Sequence, residues 1–118
     1  MKKNIYLSIP RTHGTRLKSN IELTILGCNC KLTDLPDHSD ALILVYSDYA
    51  TNAFEEIKQF CLSAADRNIP IKALVLYDKK TTIDPLLDQL IDDNGLTKHQ
   101  FSGATDLISA IQTFLETL

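Results

Sequence analysis

The fold of this chain is limited most strongly by an uninterrupted apolar run, Ala41–Tyr46 (ALILVY). A run this short and unbroken is typical of a strand buried on both faces, as in the centre of a parallel sheet. A polar turn over residues 47–51 follows, and apolar residues then recur at helical spacing, at Phe54, Ile57, Cys61 and Ala64. The segment from Ala41 to Ala65 therefore predicts half of a βαβ unit.

The rest of the chain alternates between the same two kinds of element. Strands are predicted at Asn4–Ile9, Cys28–Thr33, Asn68–Tyr77 and Leu96–Phe101, and helices at Thr15–Leu26, from Asp84 to Gly95, and at Thr105–Leu118. Such alternation gives a parallel sheet with right-handed crossovers. The third and fourth strands are the most apolar and belong inside, while the second and fifth belong at the edges. We therefore predict an α/β, flavodoxin-like three-layer sandwich with strand order 2-1-3-4-5.

The link between the second and third strands is too short for an ordinary crossover. It runs from Asp34 to Asp40, only seven residues (DLPDHSD), whereas parallel strands are usually joined by a dozen or more. We expect the second helix to be reduced or absent and one sheet face to be under-covered near the first three strands. An apolar surface there would favour association, so a homodimer or a protein partner is expected.

Length and composition predict one globular domain, residues 1–118. The net charge of -3 at pH 7 disfavours nucleic acid as a partner, because nucleic-acid binding usually requires a basic face. No apolar stretch approaches the roughly 20 residues of a membrane span. The three cysteines are an odd number, and we expect reduced thiols in a cytoplasmic protein.

The carboxyl ends of the predicted strands gather the polar residues on which chemistry can depend. In a sheet of this order, the crevice opens between the first and third strands, where the sheet reverses direction. Glu55 and Glu56 are the nearest carboxylates, and either can act as a nucleophile or stabilise an oxocarbenium ion in glycosidic chemistry. Both also have a structural alternative: Glu55 stands three residues after Asn52 and suits helix capping, and Glu56 suits a solvated helix surface. The ligand-binding candidates on this rim are Ser8, Arg11, His13, Gly14, Ser47, Asp48 and Asn52.

The loop after the first strand is the candidate anion site. Arg11 and His13 lie beside Gly14, near a predicted helix start, where a phosphate can be held. The alternative is a basic loop that is only solvated. Cys28 and Cys30 do not combine with a histidine at the spacing of a zinc site, so no metal is expected.

Several segments resemble a broad nucleotide-handling group that contains TIR domains, nucleoside 2-deoxyribosyltransferases and cytokinin-activating phosphoribohydrolases. The opening IYLSIPRTHG resembles the first strand and loop of bacterial TIR domains, and LTILGCNCKLTD follows their helix-glycine-strand-Asp pattern. A Ser, aromatic, small polar, aromatic and Glu series is matched by Ser47, Tyr49, Asn52, Phe54 and Glu56. The resemblance implies a signalling or nucleotide-binding domain, with NAD or another nucleotide as ligand. It also implies cleavage of an N-glycosidic bond, with Glu56 as the catalytic candidate.

A second class of function stays open beside this one. The glycines of the phosphoribohydrolase loop are replaced at residues 47–51 (SDYAT), where side chains would crowd a phosphate cradle. The chain is also similar to response-regulator receiver domains, but Ser8-Ile9-Pro10 stand where their acidic pair is required. The alternative is therefore a non-phosphorylated, receiver-like module for protein interaction or dimerisation.

Overall fold

The computed structural model describes residues 2–10, 14–47 and 52–118. Strands and helices alternate throughout these parts of the chain. The strands are β1 (Lys3–Ser8), β2 (Cys30–Thr33), β3 (Ala41–Tyr46), β4 (Ala73–Asp78) and β5 (Thr97–Phe101). The α-helices are α1 (Gly14–Gly27), α2 (Ala53–Asp66), α3 (Pro85–Asp93) and α4 (Gly103–Glu116). A short 3-10 helix at Pro36–His38 stands between β2 and β3.

The strands form one parallel sheet in the order β2-β1-β3-β4-β5. Helices α1 and α4 pack on one face and α2 and α3 on the other. All residues of the central strand, Ala41–Tyr46, are buried, because this apolar run has a packed helix layer on each side. The predicted flavodoxin-like sandwich and its strand order are confirmed.

The short link between β2 and β3 forms the 3-10 helix in place of a full second helix, as predicted. This helix packs against α2. The side chain of Arg67, the C-cap residue of α2, donates a hydrogen bond to the Pro36 carbonyl at 3.3 Å. Because β3 is buried on both faces, the expected gap in coverage does not occur at β3. Leu35 and Leu62, on the two elements that meet there, are exposed. A homodimer or protein partner stays a prediction.

Two helix ends test the predicted capping. The Asp84 side chain accepts a hydrogen bond from the Leu86 amide at 2.8 Å, so the predicted cap of α3 is confirmed. The left-handed cap predicted at Gly27 is wrong: the positive φ, 62°, falls on Asn29. Asparagine tolerates this region, and the shift delays β2 to Cys30.

The fourth strand and the stripe of α2 also differ in detail from prediction. Asn68 takes φ 56° after α2, and its turn and Pro70 delay β4 until Ala73. On α2, Phe60 is fully buried, whereas Phe54 in the first turn is 36% exposed. The helix is therefore rotated so that Phe60, and not Phe54, enters the core.

Candidate functional site

The crevice at the carboxyl ends of β1 and β3 follows from where the helices lie. The chain leaves β1 for α1, which packs on the α4 side of the sheet, and leaves β3 for α2, which packs on the α3 side. The two connections therefore diverge at neighbouring strands. This is the point at which open α/β sheets form a ligand crevice.

Tyr6 and Glu56 meet at this crevice. Tyr6 lies in β1 and points to the α2 side, where it packs at the edge of the core. Glu56 lies in the first turns of α2 and is half-buried. The Tyr6 hydroxyl donates a hydrogen bond to Glu56 Oε2 at 3.3 Å. Its other oxygen, Oε1, has no hydrogen-bond partner among the described residues.

The pKa of Tyr6 is raised above its ordinary value by burial, then by the charge of Glu56 and the hydrogen bond to it, and last by Asp34. Burial and nearby negative charges all disfavour the phenolate. Tyr6 therefore stays protonated at neutral pH and acts as a donor to Glu56.

Asp34 brings a second carboxylate to the same corner. It directly follows β2, and Thr33 pairs with Tyr6 in the sheet register. The side chain of Asp34 is exposed, and its negative charge contributes to the raised pKa of Tyr6. We call Tyr6, Asp34 and Glu56 the acidic corner.

Four of the other predicted residues are described by the structure, and they lie at the same end of the sheet: Ser8, Gly14, Ser47 and Asn52. Ser8 ends β1 on the Tyr6 side and is half-buried, and Ser47 directly follows β3 and is also half-buried. Gly14 begins α1. Asn52 occupies the N-cap position of α2, but its side chain makes no capping hydrogen bond. The predicted residues Arg11, His13 and Asp48 lie outside the described residues.

The two glutamates have different surroundings. Glu55 is exposed, and no hydrogen bond joins it to Asn52 in the described part of the chain, so the capping pair predicted for it is not formed there. Glu56 is the one that reaches Tyr6. Of the two glutamates, Glu56 is therefore the one that lies at the crevice beside Tyr6.

Sequence reasoning missed Tyr6. A signal was present: in β1, Tyr6 and Ser8 alternate with Ile5 and Leu7, which places two hydroxyl side chains on one face at the functional end of the strand. That pattern marks the face but does not identify the partner. Glu56 is 50 residues away in sequence.

Other kinds of site have less support in the described part of the chain. Within the described ranges, no group of three or more His, Cys, Asp or Glu side chains is arranged to hold a metal ion. In the same ranges, every helix is too short or too polar to cross a membrane.

One solved structure similar to this chain is that of the CMP N-glycosidase BcmB of Clostridium botulinum, with a TM-score of 0.78. The match covers 95% of this chain and 99% of that chain. The two chains therefore share their overall fold. Sequence identity is only 9%, so the likeness concerns the fold. No protein-family model and no curated protein matches the chain in sequence.

This likeness agrees, at the level of the fold alone, with the predicted resemblance to a broad nucleotide-handling group. The acidic corner is the feature of this chain that can carry chemistry on such a fold. A carboxylate beside a sugar can stabilise positive charge or attack the anomeric carbon, and a neutral phenol can hold that carboxylate in one orientation.

Proposed function

We propose that the crevice between β1 and β3 binds a nucleoside monophosphate and that Glu56 assists cleavage of its N-glycosidic bond. The observation that carries the proposal is the hydrogen bond from Tyr6 to Glu56 at the point where the sheet reverses direction. The fold of BcmB, a CMP N-glycosidase, supports the same class of reaction. The comparison adds no support for NAD, which stays a prediction.

The reaction breaks the bond between ribose C1′ and the nitrogen of the base. The bonding electrons leave with the base, which takes a proton from water, and the remaining hydroxide adds to C1′. The products are the free base and ribose 5-phosphate. Because positive charge develops on the sugar as the bond breaks, a carboxylate at Glu56 lowers the barrier by electrostatic stabilisation or by transient attack on C1′.

Tyr6 acts on the sugar through Glu56. Its hydroxyl binds Oε2, which leaves Oε1 available to face C1′. A hydrogen bond from a protonated phenol restricts the rotation of the carboxylate, and such positioning contributes to the rate. Tyr6 is therefore a positioning residue in this proposal.

The charges of the corner orient the substrate. Asp34 and Glu56 are both acidic and both act on Tyr6, so a phosphate would be repelled from them. The sugar therefore lies against the corner, and the phosphate lies toward the start of α1 at Gly14, because the first amide groups of a helix have no partners within the helix. Arg11, predicted for the phosphate because its guanidinium offers a bidentate fork, lies outside the described residues.

The first experiment is a panel of CMP, UMP, AMP, GMP and NAD, scored by thermal shift and by chromatographic detection of released base. A true ligand raises the melting temperature by mass action. A substrate also yields free base, and only one or two panel members should do so. If every member of the panel gives no thermal shift and no released base, the glycosidic proposal is refuted. That result would favour the receiver-like interaction module.

Variants then assign the roles. Glu56→Gln keeps the shape and removes the charge, so it should lower turnover by about 100-fold or more while sparing binding. Tyr6→Phe should lower turnover by about tenfold. Glu55→Gln is the matched control, because this neighbouring carboxylate is exposed and should be replaceable without loss of turnover. Equal losses in Glu55→Gln and Glu56→Gln would contradict the assignment to Glu56.

A further inference from the structure

A groove lies under α4 at the β5 edge of the sheet, away from the acidic corner. Its walls are the start of β4, the first half of β5, and α4 from Asp106 to the C-cap residue Thr117. The volume is about 460 Å³, which is within the range of small-molecule sites. The acidic corner lies instead at the carboxyl ends of β1 and β3, so the two sites are separate.

The groove is open because the side chains that line its walls are small. On α4 these are Ser109, Ala110 and Thr113, and on β5 it is Thr97. Larger apolar residues lie deeper: Leu74 is 2% exposed and Phe114 8% exposed. The groove therefore offers an apolar floor beneath a rim of hydroxyl groups, as ligand sites usually do.

Two of the charged residues on the groove are already satisfied. The Asp106 carboxylate accepts from the Ser102 amide at 2.8 Å and lies 3.2 Å from His99 Nε2. Lys98 contributes to the groove wall, but its ammonium pairs with acidic side chains of α3 on the opposite sheet face. Neither residue has its charge available for a ligand.

Lys72 is different. It lines the groove and is exposed, and the described residues place no carboxylate within ion-pair distance of its ammonium. Asp40, which shares a neighbouring hollow with Lys72, accepts instead from the Asn4 amide at 2.8 Å. Lys72 therefore lies at the mouth of an apolar groove without an ion-pair partner among the described residues.

We infer that this groove binds a small carboxylic acid with an apolar body. The ring or short chain lies against Leu74 and Phe114, and the carboxylate lies at Lys72. Apolar contact with the floor provides most of the affinity, since an exposed ion pair contributes only modestly. The charge at Lys72 selects acids over neutral molecules of the same shape.

The test uses a matched pair of probes, 3-phenylpropanoate and 3-phenylpropanamide, which differ in charge and hardly at all in shape. Both are titrated into the full chain and followed by amide NMR shifts. The acid should bind with a dissociation constant on the order of 1 mM and shift the amides of Thr97, His99, Thr113 and Phe114. The amide should bind the same residues about fivefold more weakly.

Three variants complete the design. Lys72→Met keeps the aliphatic stem and removes the charge, so it should lower the affinity for the acid by about fivefold and leave the amide unchanged. Lys18→Met, an exposed lysine on α1, is the charge-matched control and should change neither. Thr113→Trp fills the groove from the exposed side of α4 and should abolish binding of both the acid and the amide. Thermal denaturation checks that this variant is folded.

Each outcome is decisive for the groove. The inference is supported if the amide NMR shifts are confined to the groove residues and if Lys72→Met, but not Lys18→Met, loses the preference for the acid over the amide. Equal binding of acid and amide, or an unchanged acid affinity in Lys72→Met, overturns the role of the charge. Absence of groove shifts with both probes overturns the site. None of these results depends on the acidic corner or its proposed reaction.

Discussion

The coupling between Tyr6 and Glu56 is the measurement on which the functional argument depends most. A double-mutant cycle with Tyr6→Phe, Glu56→Gln and the double variant isolates the interaction of the two side chains. The hydroxyl and the carboxylate oxygen are 3.3 Å apart, which is long for an O–H···O hydrogen bond. Both side chains are also only half-buried.

These two facts set the expected magnitude. A typical hydrogen bond contributes about 0.5–1.5 kcal/mol net, and one to a charged group about 1.5–3 kcal/mol. The long distance and the solvent access reduce the charged value, so we expect a coupling of about 1 kcal/mol. For a domain of this size, that corresponds to about 4 °C in melting temperature.

The assay is urea denaturation of the four proteins at neutral pH, followed by circular dichroism. A second cycle, with Tyr6→Phe and Glu55→Gln, is the control. Glu55 is exposed, and among the described residues Tyr6 hydrogen-bonds Glu56 and no other carboxylate. The control coupling should be near zero. A Tyr6–Glu56 coupling below about 0.3 kcal/mol, the usual error of such cycles, would refute the reasoning that Tyr6 positions Glu56.

The pH dependence gives an independent check. The pKa of Tyr6 is raised in the folded protein, first by burial and then by Glu56. In the unfolded chain, Tyr6 loses its proton near pH 10.0, whereas the folded protein keeps it, so the unfolded state binds fewer protons and stability falls as pH rises. The stabilisation that comes from the raised pKa of Tyr6 is fully present below pH 10 and is lost as the pH rises above it. In Tyr6→Phe, the stability should therefore fall less at alkaline pH than in the wild type.

Three further predictions concern the scaffold. Leu44→Ala in the central strand, where Leu44 is 1% exposed, should cost about 2–5 kcal/mol in urea denaturation; a cost below 1 kcal/mol would contradict its place in the core. Asp84→Ala removes the hydrogen bond to the Leu86 amide and should cost about 1 kcal/mol, whereas Asp84→Asn should restore most of it. The pKa of Asp106 is lowered chiefly by the Ser102 amide, so its contribution to stability exists above its ordinary pKa and is lost as pH falls. Asp106→Asn should therefore reduce the loss of stability in acid, as measured by thermal melts from neutral to acidic pH.

The sequence predicted the fold because its strongest signals concern burial. The run Ala41–Tyr46 can be satisfied only between two layers, and it is buried along its whole length. The alternation of elements then predicted a parallel sheet, and the relative apolarity of the strands predicted their order. The errors are of smaller scale: Gly27 and Asn29 both tolerate a left-handed turn, and the helical spacing placed Phe54 on the inner face of α2, where Phe60 is buried instead.

The acidic corner was predicted only in part, for a physical reason. Glu56 was found because it follows a buried strand and begins a helix, which is local information. Its partnership with Tyr6 depends on the register of β1 against β3, where Tyr6 pairs with Leu42, and on the rotation of α2 about its axis. Neither quantity is encoded by residues adjacent in the sequence.

The strand order by itself does not decide between a glycosidase and a receiver-like module, because both classes share it. The chemistry at the end of β1 argues only against a receiver that is phosphorylated. A receiver requires acidic side chains there, whereas β1 of this chain ends with Ser8 and carries the Tyr6 hydroxyl on the same side. Tyr6, two residues before Ser8, donates to Glu56 on α2. A phenol that orients one carboxylate suits stabilisation of a sugar cation, and this is why the N-glycosidic reaction is the function proposed for this chain.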